Sequence, residues 1–261
     1  NFLTIESTDL EFGVRAWFLA KTEKEGTAAV PALLLSNFVR SLPNEPVKIE
    51  LTPPFLLVET KNQKGEIKTE DPEDFPIMPQ VKNDPYVVLS SKTLCDALSQ
   101  VADIPPTSSS RPEISGVFFS FQKNTIQIAA TDSFRLAEKT IILPKSGVDK
   151  NTSFILPQKT AREVINIFGT DEDGEKTTKD KDLKIYLTPN QILIESLMPE
   201  TPHPQVILVS RLIEGEYPNY QEIIPKNFEA QMILERNEFL HQIKTASLFA
   251  SRTNDVKLRA Q

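Results

Sequence analysis

The sequence has little cysteine and little histidine. Cys95 is the one cysteine among 261 residues, so an internal disulfide and a thiolate metal cluster are both excluded. The two histidines, His203 and His241, are too few for a zinc site or a histidine-based catalytic triad. Cys95 lies within an apolar helical pattern, which favours a small buried side chain over a reactive thiol. We expect no metal and no cofactor.

Glycine is also scarce, with eight residues in the whole chain. Neither a GxxxxGK[ST] nor a GxGxxG stretch occurs, so a phosphate-binding loop is not expected. The longest apolar runs are far shorter than the roughly 18 residues of a membrane span. The first residues lack the basic and then apolar layout of a signal peptide, which makes the cytoplasm the default location.

What the chain does have is an ordinary globular composition, 39% hydrophobic and 25% charged. Its length is sufficient for about two domain-sized cores. The net charge of −7 argues against a protein that attracts nucleic acid through its overall charge. Any contact with nucleic acid would therefore need a local basic surface.

Two segments of the chain repeat one another as β-hairpins. "VKIELTPPFLLVET" (47–60) and "LKIYLTPNQILIES" (183–196) share apolar residues at alternate positions on both sides of a Thr-Pro turn. Upstream of each hairpin, a strand runs into a helix that begins at a proline, Pro31 in one copy and Pro157 in the other. The chain therefore contains two similar units.

The repeat extends further in both directions. "LTIESTDLEFGV" (3–14) matches "IQIAATDSFRLA" (126–137), and both are alternating strands that run into Thr-Asp. "AQMILERNEFLHQIKTAS" (230–247) resembles "PYVVLSSKTLCDALSQVA" (85–102), each a short strand followed by an amphipathic helix. The unit is about 125 residues long, and the pattern is typical of the middle of a three-unit protein.

The two copies differ after their shared Thr-Asp pair. Thr8-Asp9 and Thr131-Asp132 occur in both units, which favours a structural role in bonding the N–H groups of a turn. The next four residues do not repeat: "LEFG" (10–13) stands opposite "SFRL" (133–136). We expect the second copy to carry a task here that the first does not.

Apolar periodicity predicts four helices, which carry six Lys or Arg against four acids. A mildly basic helical layer in an acidic protein suits contact with a phosphate backbone, although solvated helix faces explain the same charges equally well. The predicted helices span 31–42, 90–102, 157–168 and 235–250.

At this point the sequence resembles a known family, the bacterial sliding clamps that form the beta subunit of DNA polymerase III. The resemblance covers the whole chain. It is carried by "AATDSFRLA" (129–137), "FILPQKTAREVINIF" (154–168), "RPEISGVFF" (111–119) and "RLIEGEYPNYQEIIPK" (211–226).

The resemblance implies an α+β fold of repeated DNA-clamp domains, each with antiparallel sheets outside and two helices inside. It implies three domains: 1–82 without its N-terminal part, 83–218 as the central domain, and 219–261 as the start of a third. Two subunits of such clamps close head to tail around duplex DNA. The expected function is a non-catalytic processivity factor that tethers the replicative polymerase.

The resemblance also implies two kinds of site. One is an apolar pocket for short peptide segments of the polymerase alpha subunit, the clamp loader and other partners. Many family members have His where Phe134 stands, and some have Arg where Glu222 stands. The implied pocket residues are Ile114, Thr131, Ser133, Phe134, Arg135, Leu136, Pro218 and Ile223. The implied residues of the DNA channel are Arg40, Lys92, Ser108, Arg111, Lys159, Arg162 and Lys244.

Two other classes of function compete with this interpretation. An enzyme could use Asp9 or Asp132 as an acid or base, but no second carboxylate or nucleophile recurs near them at a fixed spacing. A repeat-built scaffold that binds protein and never DNA is the second alternative. A salt titration with duplex DNA discriminates the scaffold from the clamp.

Overall fold

A computed structural model describes residues 1–79, 86–106, 111–143, 151–169, 180–227, 231–250 and 255–258. The strands are β1 (Phe2–Thr8), β2 (Phe12–Leu19), β3 (Lys48–Thr52), β4 (Phe55–Glu59), β5 (Lys64–Lys68), β6 (Val87–Ser90), β7 (Gly116–Gln122), β8 (Thr125–Thr131), β9 (Leu136–Ile142), β10 (Thr152–Pro157), β11 (Asp182–Thr188), β12 (Gln191–Leu197) and β13 (Pro204–Arg211). The helices are α1 (Ala32–Ser41), α2 (Ser91–Ser99), α3 (Gln158–Phe168) and α4 (Arg236–Ser247).

These elements confirm the helices and hairpins that the sequence predicts. Each of the four helices lies inside its predicted range, and the two Thr-Pro hairpins form as β3–β4 and β11–β12. Every strand pair is antiparallel. The α+β class is therefore confirmed.

The second repeat packs two helices against two sheets. Strands β13, β12, β11 and β6 belong to one sheet, and β10, β7, β8 and β9 form the other. Alternate strand residues such as Phe121, Ile128 and Ile194 meet Leu98 of α2 and Val164 of α3 in one apolar core. Burial of these side chains is the main force that holds the repeat together.

The two helices of this repeat touch closely at Cys95. Its thiol lies 3.7 Å from the carbonyl oxygen of Val164, and a β-carbon at Gly169 would lie 3.3 Å from its Cβ. Burial raises the pKa of the Cys95 thiol to about 12, so it stays protonated and unreactive at neutral pH. The prediction of a buried structural cysteine is confirmed.

The first repeat reuses the same design. Strands β3, β4 and β5 form a three-stranded meander like β11, β12 and β13, and α1 precedes it as α3 precedes the other. An isolated bridge joins Ala29 to Glu70 in the first repeat, and its counterpart joins Ile155 to Ile213 in the second. The strand predicted before α1 is wrong apart from this bridge at Ala29, and the segment before each helix meets the end of its meander at an equivalent position.

A six-stranded sheet crosses from one repeat to the other. Its order is β1-β2-β13-β12-β11-β6, with β2 of the first repeat paired to β13 of the second. Residues 1–218 accordingly form one compact unit, and 219–261 form another. The expected boundary between the first two domains at 82/83 lies outside the described residues.

The last unit contains α4 but not the strand predicted before it. Residues 231–235 are not in a strand, and residue 230 lies outside the described residues. In the second repeat, the matching strand β6 is held by its ladder with β11. A strand needs such a partner, and the described residues after 218 contain none. The strand prediction for this segment is wrong over 231–235.

No helix in the described part of the chain is both long enough and apolar enough to cross a membrane.

Candidate functional site

The turn between β8 and β9 is held by its own Thr and Asp side chains. Thr131 Oγ1 donates to the carbonyl oxygen of Arg135 at 2.7 Å and accepts from the Ser133 N–H at 3.1 Å. One oxygen of Asp132 accepts from the N–H groups of Phe134 and Arg135, at 2.9 and 2.7 Å. These bonds hold Ser133 at a φ of 75°, which residues other than glycine seldom adopt. The sequence thus encodes a rigid turn.

The acid of this turn stays ionised at neutral pH. Partial burial acts to raise the pKa of Asp132, but bonds from the Arg135 and Phe134 N–H groups outweigh it and hold the pKa below its usual value. The Arg135 guanidinium adds an ion pair at 2.9 Å. A carboxylate with both oxygens engaged in this way is a structural acceptor and not a general acid.

The first repeat has the same turn, bond for bond. Thr8 Oγ1 donates to the Phe12 carbonyl oxygen at 2.8 Å, and Asp9 accepts from the N–H groups of Glu11 and Phe12 at 3.0 and 2.9 Å. Leu10 has a φ of 75°, like Ser133. The structural role predicted for the repeated Thr-Asp pair is confirmed. The enzyme hypothesis is weakened, because Asp9 and Asp132 both accept hydrogen bonds from the backbone of their own turns.

The side chains on the second turn differ in exposure. Phe134 is 94% exposed, and the Arg135 side chain is 61% exposed. Leu136 is half-buried and begins β9 opposite Thr131, which is buried. Strand alternation does not turn Phe134 inward, because β9 starts only after it. The turn therefore presents an exposed ring and a partly covered leucine beside each other.

The Tyr217 side chain links the chain segment before Pro218 to this turn. The Tyr217 ring stacks on Phe118 at 4.8 Å between ring centroids, and its hydroxyl lies at the backbone of Thr131. Burial raises the pKa of that hydroxyl to about 12. The half-buried Pro218 follows directly in the chain. Ile114 is only 3% exposed, so it offers little surface of its own.

Arg111 lies at the second Thr-Asp turn, although the family resemblance implies a place in the DNA channel. Its Nη1 donates to Ser133 Oγ at 3.2 Å, and its Nε pairs with Glu113 at 3.2 Å. The chain brings it there through a short 3-10 helix at Pro112–Ile114. The "RPEISG" motif identifies Arg111 as a candidate site residue, but it does not predict which residue the side chain contacts. The contact joins residues that are 22 positions apart in the sequence.

Ile223 belongs to the second compact unit. It is 71% exposed at the end of a 3-10 helix over Tyr220–Ile223. Within the same helix, Glu222 accepts a hydrogen bond from Asn219 Nδ2 at 2.7 Å.

The cations of α3 are paired with acids from elsewhere in the chain. Lys159 forms an ion pair with Asp9 of the first turn and lies 5.4 Å from the centroid of the Phe12 ring. The bond to Asp9 raises the pKa of Lys159, while Asp9, despite some burial, has a lowered pKa. Arg162 pairs with Asp103 at 2.9 Å. Exposed pairs of this kind exchange partners at little cost.

The remaining channel candidates are spread over the other helices. Lys92 pairs with Asp96 one turn along α2 at 3.0 Å. Arg40 lies exposed in the last turn of α1, and Lys244 lies in the last turn of α4. Ser108 lies outside the described residues. Among the described residues, no group of three or more His, Cys, Asp or Glu side chains is arranged to hold a metal ion.

Solved structures share this fold. The DNA polymerase sliding clamp of Bacillus subtilis has a TM-score of 0.80 and 23% identity, over 95% of this chain and 64% of that one. The Helicobacter pylori beta clamp bound to a DNA ligase peptide has a TM-score of 0.76 and 21% identity, over 96% of this chain and 66% of that one.

Sequence comparisons agree. The beta sliding clamp of Staphylococcus aureus is 29% identical over 243 residues, which are 92% of this chain and 60% of the relative. The chain thus spans about three-fifths of the length of that relative. The profile for the central domain of the DNA polymerase III beta subunit matches residues 88–219, and the profile for its N-terminal domain matches residues 1–79. The chain belongs to the family of DNA polymerase III beta subunits, the beta sliding clamps.

Proposed function

We propose that the protein acts in the bacterial cytoplasm as a sliding clamp. Two copies, at the full length of their relatives, close head to tail around duplex DNA and tether the replicative polymerase. The clamp performs no catalysis, and its partners are the polymerase alpha subunit, the clamp loader and other proteins with clamp-binding peptides. The observation that most supports this proposal is the sheet that runs from the first repeat into the second through the pairing of β2 with β13.

The strand edges support a head-to-tail ring. β9 follows the second Thr-Asp turn as β2 follows the first, and β5 closes its meander as β13 closes the other. Both β9 and β5 lie at the edges of their sheets. An edge strand can pair with a further strand, so the β2–β13 junction can be repeated at each end. Repetition of one heterologous junction generates a ring when the rotation closes.

The helix cations support a contact with DNA that reads no sequence. Lys159 and Arg162 on α3 can exchange an acid partner for a phosphate, and Arg40 on α1 is exposed and can bind a phosphate directly. Phosphate contacts position a protein on the duplex and carry no base information. Because few phosphates are touched, affinity without a closed ring is low and falls with salt.

The second turn supports binding of partner peptides. An exposed Phe134, a half-buried Leu136 and the neighbouring Pro218 provide an apolar surface that gains from being covered. Arg135 and Arg111 flank it with guanidinium groups able to bond an acid or a carbonyl oxygen of the partner. In this proposal Ile223 adds a further apolar anchor. We also propose the expected three-domain division at 82/83 and 218/219.

One observation favours the scaffold alternative. The cations Lys92, Lys159 and Arg162 are each paired with an acid, which lowers the local positive potential. A scaffold would keep these pairs in the presence of DNA, whereas a clamp would exchange them for phosphates.

Retention on circular DNA separates these functions. The full-length protein is loaded onto a nicked circular plasmid by its clamp loader and then passed through a gel-filtration column. We expect it to co-elute with the circle and to be lost after the plasmid is cut once, because a ring slides off an end. Equal retention on circular and linear DNA, or none on either, contradicts the sliding clamp.

Charge reversal tests the helix layer in a salt titration of the full-length protein with duplex DNA, which measures the affinity at each salt concentration. The variant Arg40→Glu with Lys159→Glu and Arg162→Glu removes three cations. Each lost phosphate contact reduces the magnitude of the negative slope of log K against log salt by about 0.9. Lys48→Glu with Lys64→Glu and Lys184→Glu makes the same charge change on the strands. Only the helix variant is expected to lose DNA affinity. Equal losses in both would indicate a non-local effect of charge.

A further inference from the structure

Met78 occupies the space beside the first Thr-Asp turn. Its side chain is 5% exposed and packs with Leu193 of β12 and Val209 of β13, two interior strands of the six-stranded sheet. A β-carbon at Gly13 would lie 3.0 Å from its terminal methyl group and 3.5 Å from its sulfur. The thioether therefore fills the space that a side chain at position 13 would take.

Position 13 is the structural counterpart of Leu136. Gly13 stands opposite Thr8 in the β1–β2 ladder, as Leu136 stands opposite Thr131 in the β8–β9 ladder. Both residues end the same hydrogen-bonded turn, so the Leu136 side chain and a β-carbon built at Gly13 point to the same side of it. In the second repeat this side carries the partner surface, and in the first it carries Met78.

The segment that brings Met78 to the turn also has a counterpart. Phe75-Pro76 follows the end of the first meander as Tyr217-Pro218 follows the second, each shortly after the isolated bridge of its repeat. A cavity of about 140 Å³ remains between this segment and the turn. It is lined in part by Leu10, Pro76 and Val209.

We propose that the first turn is a second peptide-docking site, built like the partner pocket, which the chain's own Met78 occupies as an internal ligand. Its external ligand would be a short peptide with an unbranched or leucine-like apolar anchor. This inference rests on the proposed partner pocket at Leu136, because the internal ligand is identified by equivalence to it. The consequence is one open peptide site per chain although the turn occurs twice.

Removal of the Met78 side chain should vacate the site. Met78→Ala adds most of a methionine volume to the existing cavity, and an apolar cavity of that kind accepts an apolar guest. We expect the peptide to bind there at least about tenfold more weakly than at Leu136, because fewer anchors are available. Met78→Leu refills the space and should behave like the parent.

The test is calorimetric stoichiometry with a synthetic peptide that carries adjacent leucine and phenylalanine anchors. The parent, Met78→Leu, Met78→Ala, Leu136→Asp and the double variant with Met78→Ala are compared, with folding checked by circular dichroism. We expect one peptide per chain for the parent and Met78→Leu, two for Met78→Ala, none for Leu136→Asp, and one weak site for the double variant. Ethyl methyl sulfide, a stand-in for the methionine side chain, should raise the melting temperature of the two variants that carry Met78→Ala and leave that of the others unchanged.

The outcomes separate the two proposals. One peptide for both the parent and Met78→Ala overturns the internal-ligand inference and leaves the partner pocket intact. No peptide for the parent but one for Met78→Ala overturns the partner pocket at Leu136 and keeps the first site. No peptide for either overturns both. If Met78→Ala does not fold, Met78→Val provides a smaller cavity, and absence of any stabilisation of it by the thioether overturns the inference.

Discussion

The first and second Thr-Asp turns share one backbone and differ in what covers them. Both hold a residue at a φ of 75° by the same pattern of bonds from threonine and aspartate. The first is covered by Met78 and by Lys159, which pairs with Asp9. The second leaves Phe134 94% exposed. The hydrogen bonds therefore specify the turn, and the side chains that follow Asp determine which surface it presents.

The largest expected effect is the loss of peptide affinity at the second turn in Leu136→Asp. We expect peptide affinity at the second turn to fall by at least about 30-fold, since burial of a leucine contributes about 2 kcal/mol and each 1.4 kcal/mol is tenfold. Fluorescence polarisation of a labelled clamp-binding peptide on the full-length protein measures it. Ile142→Asp makes the same change from an apolar to an acidic side chain at the far end of β9, where Ile142 is 80% exposed, and is the control. Unchanged binding by Leu136→Asp with an intact fold would show that the site is elsewhere.

The paired variants Thr131→Val and Thr8→Val test whether the two turns have the same effect on stability but different effects on peptide affinity. Each removes a hydroxyl that bonds two backbone groups of its turn, so each should cost about 1 kcal/mol and lower the melting temperature by about 2–4 °C. Only Thr131→Val should also weaken the peptide, by a few-fold. Thermal melts and polarisation on both variants provide the test. An equal loss of peptide affinity in both would contradict the separation of structure from task.

The smallest effect concerns acid stability. Because Asp132 has a lower pKa in the folded than in the unfolded chain, its stabilisation is complete above the ordinary value of 3.8 and is lost as the pH falls through the folded pKa. Asp132→Asn should lower the free energy of unfolding at pH 7 and approach the parent near pH 2. Urea melts across that range measure it. A constant difference at every pH would show that the carboxylate charge contributes nothing.

Local patterns predicted much of the fold. Apolar spacing located the four helices, and alternation about Thr-Pro located both hairpins, because these signals depend on neighbours in the chain. The strand predicted before α4 failed over 231–235, since a strand depends on a partner that local sequence does not supply.

The long-range contacts of the sites could not be predicted in this way. Lys159 pairs with Asp9 across 150 residues, and the small Gly13 gives no local sign of the methionine that covers it. The turn residues were predictable because the repeat provides an internal control. The contact of Arg111 with Ser133 was not predictable, because the repeat provides no such control for Arg111.

A crystal structure of the full-length protein with a bound clamp-binding peptide tests the central claim most directly. The account predicts one peptide per chain, with its apolar anchor against Leu136 and Pro218 and with Met78 still packed over Gly13. A peptide that displaces Met78 at the first turn, or one that leaves Leu136 untouched, would contradict it.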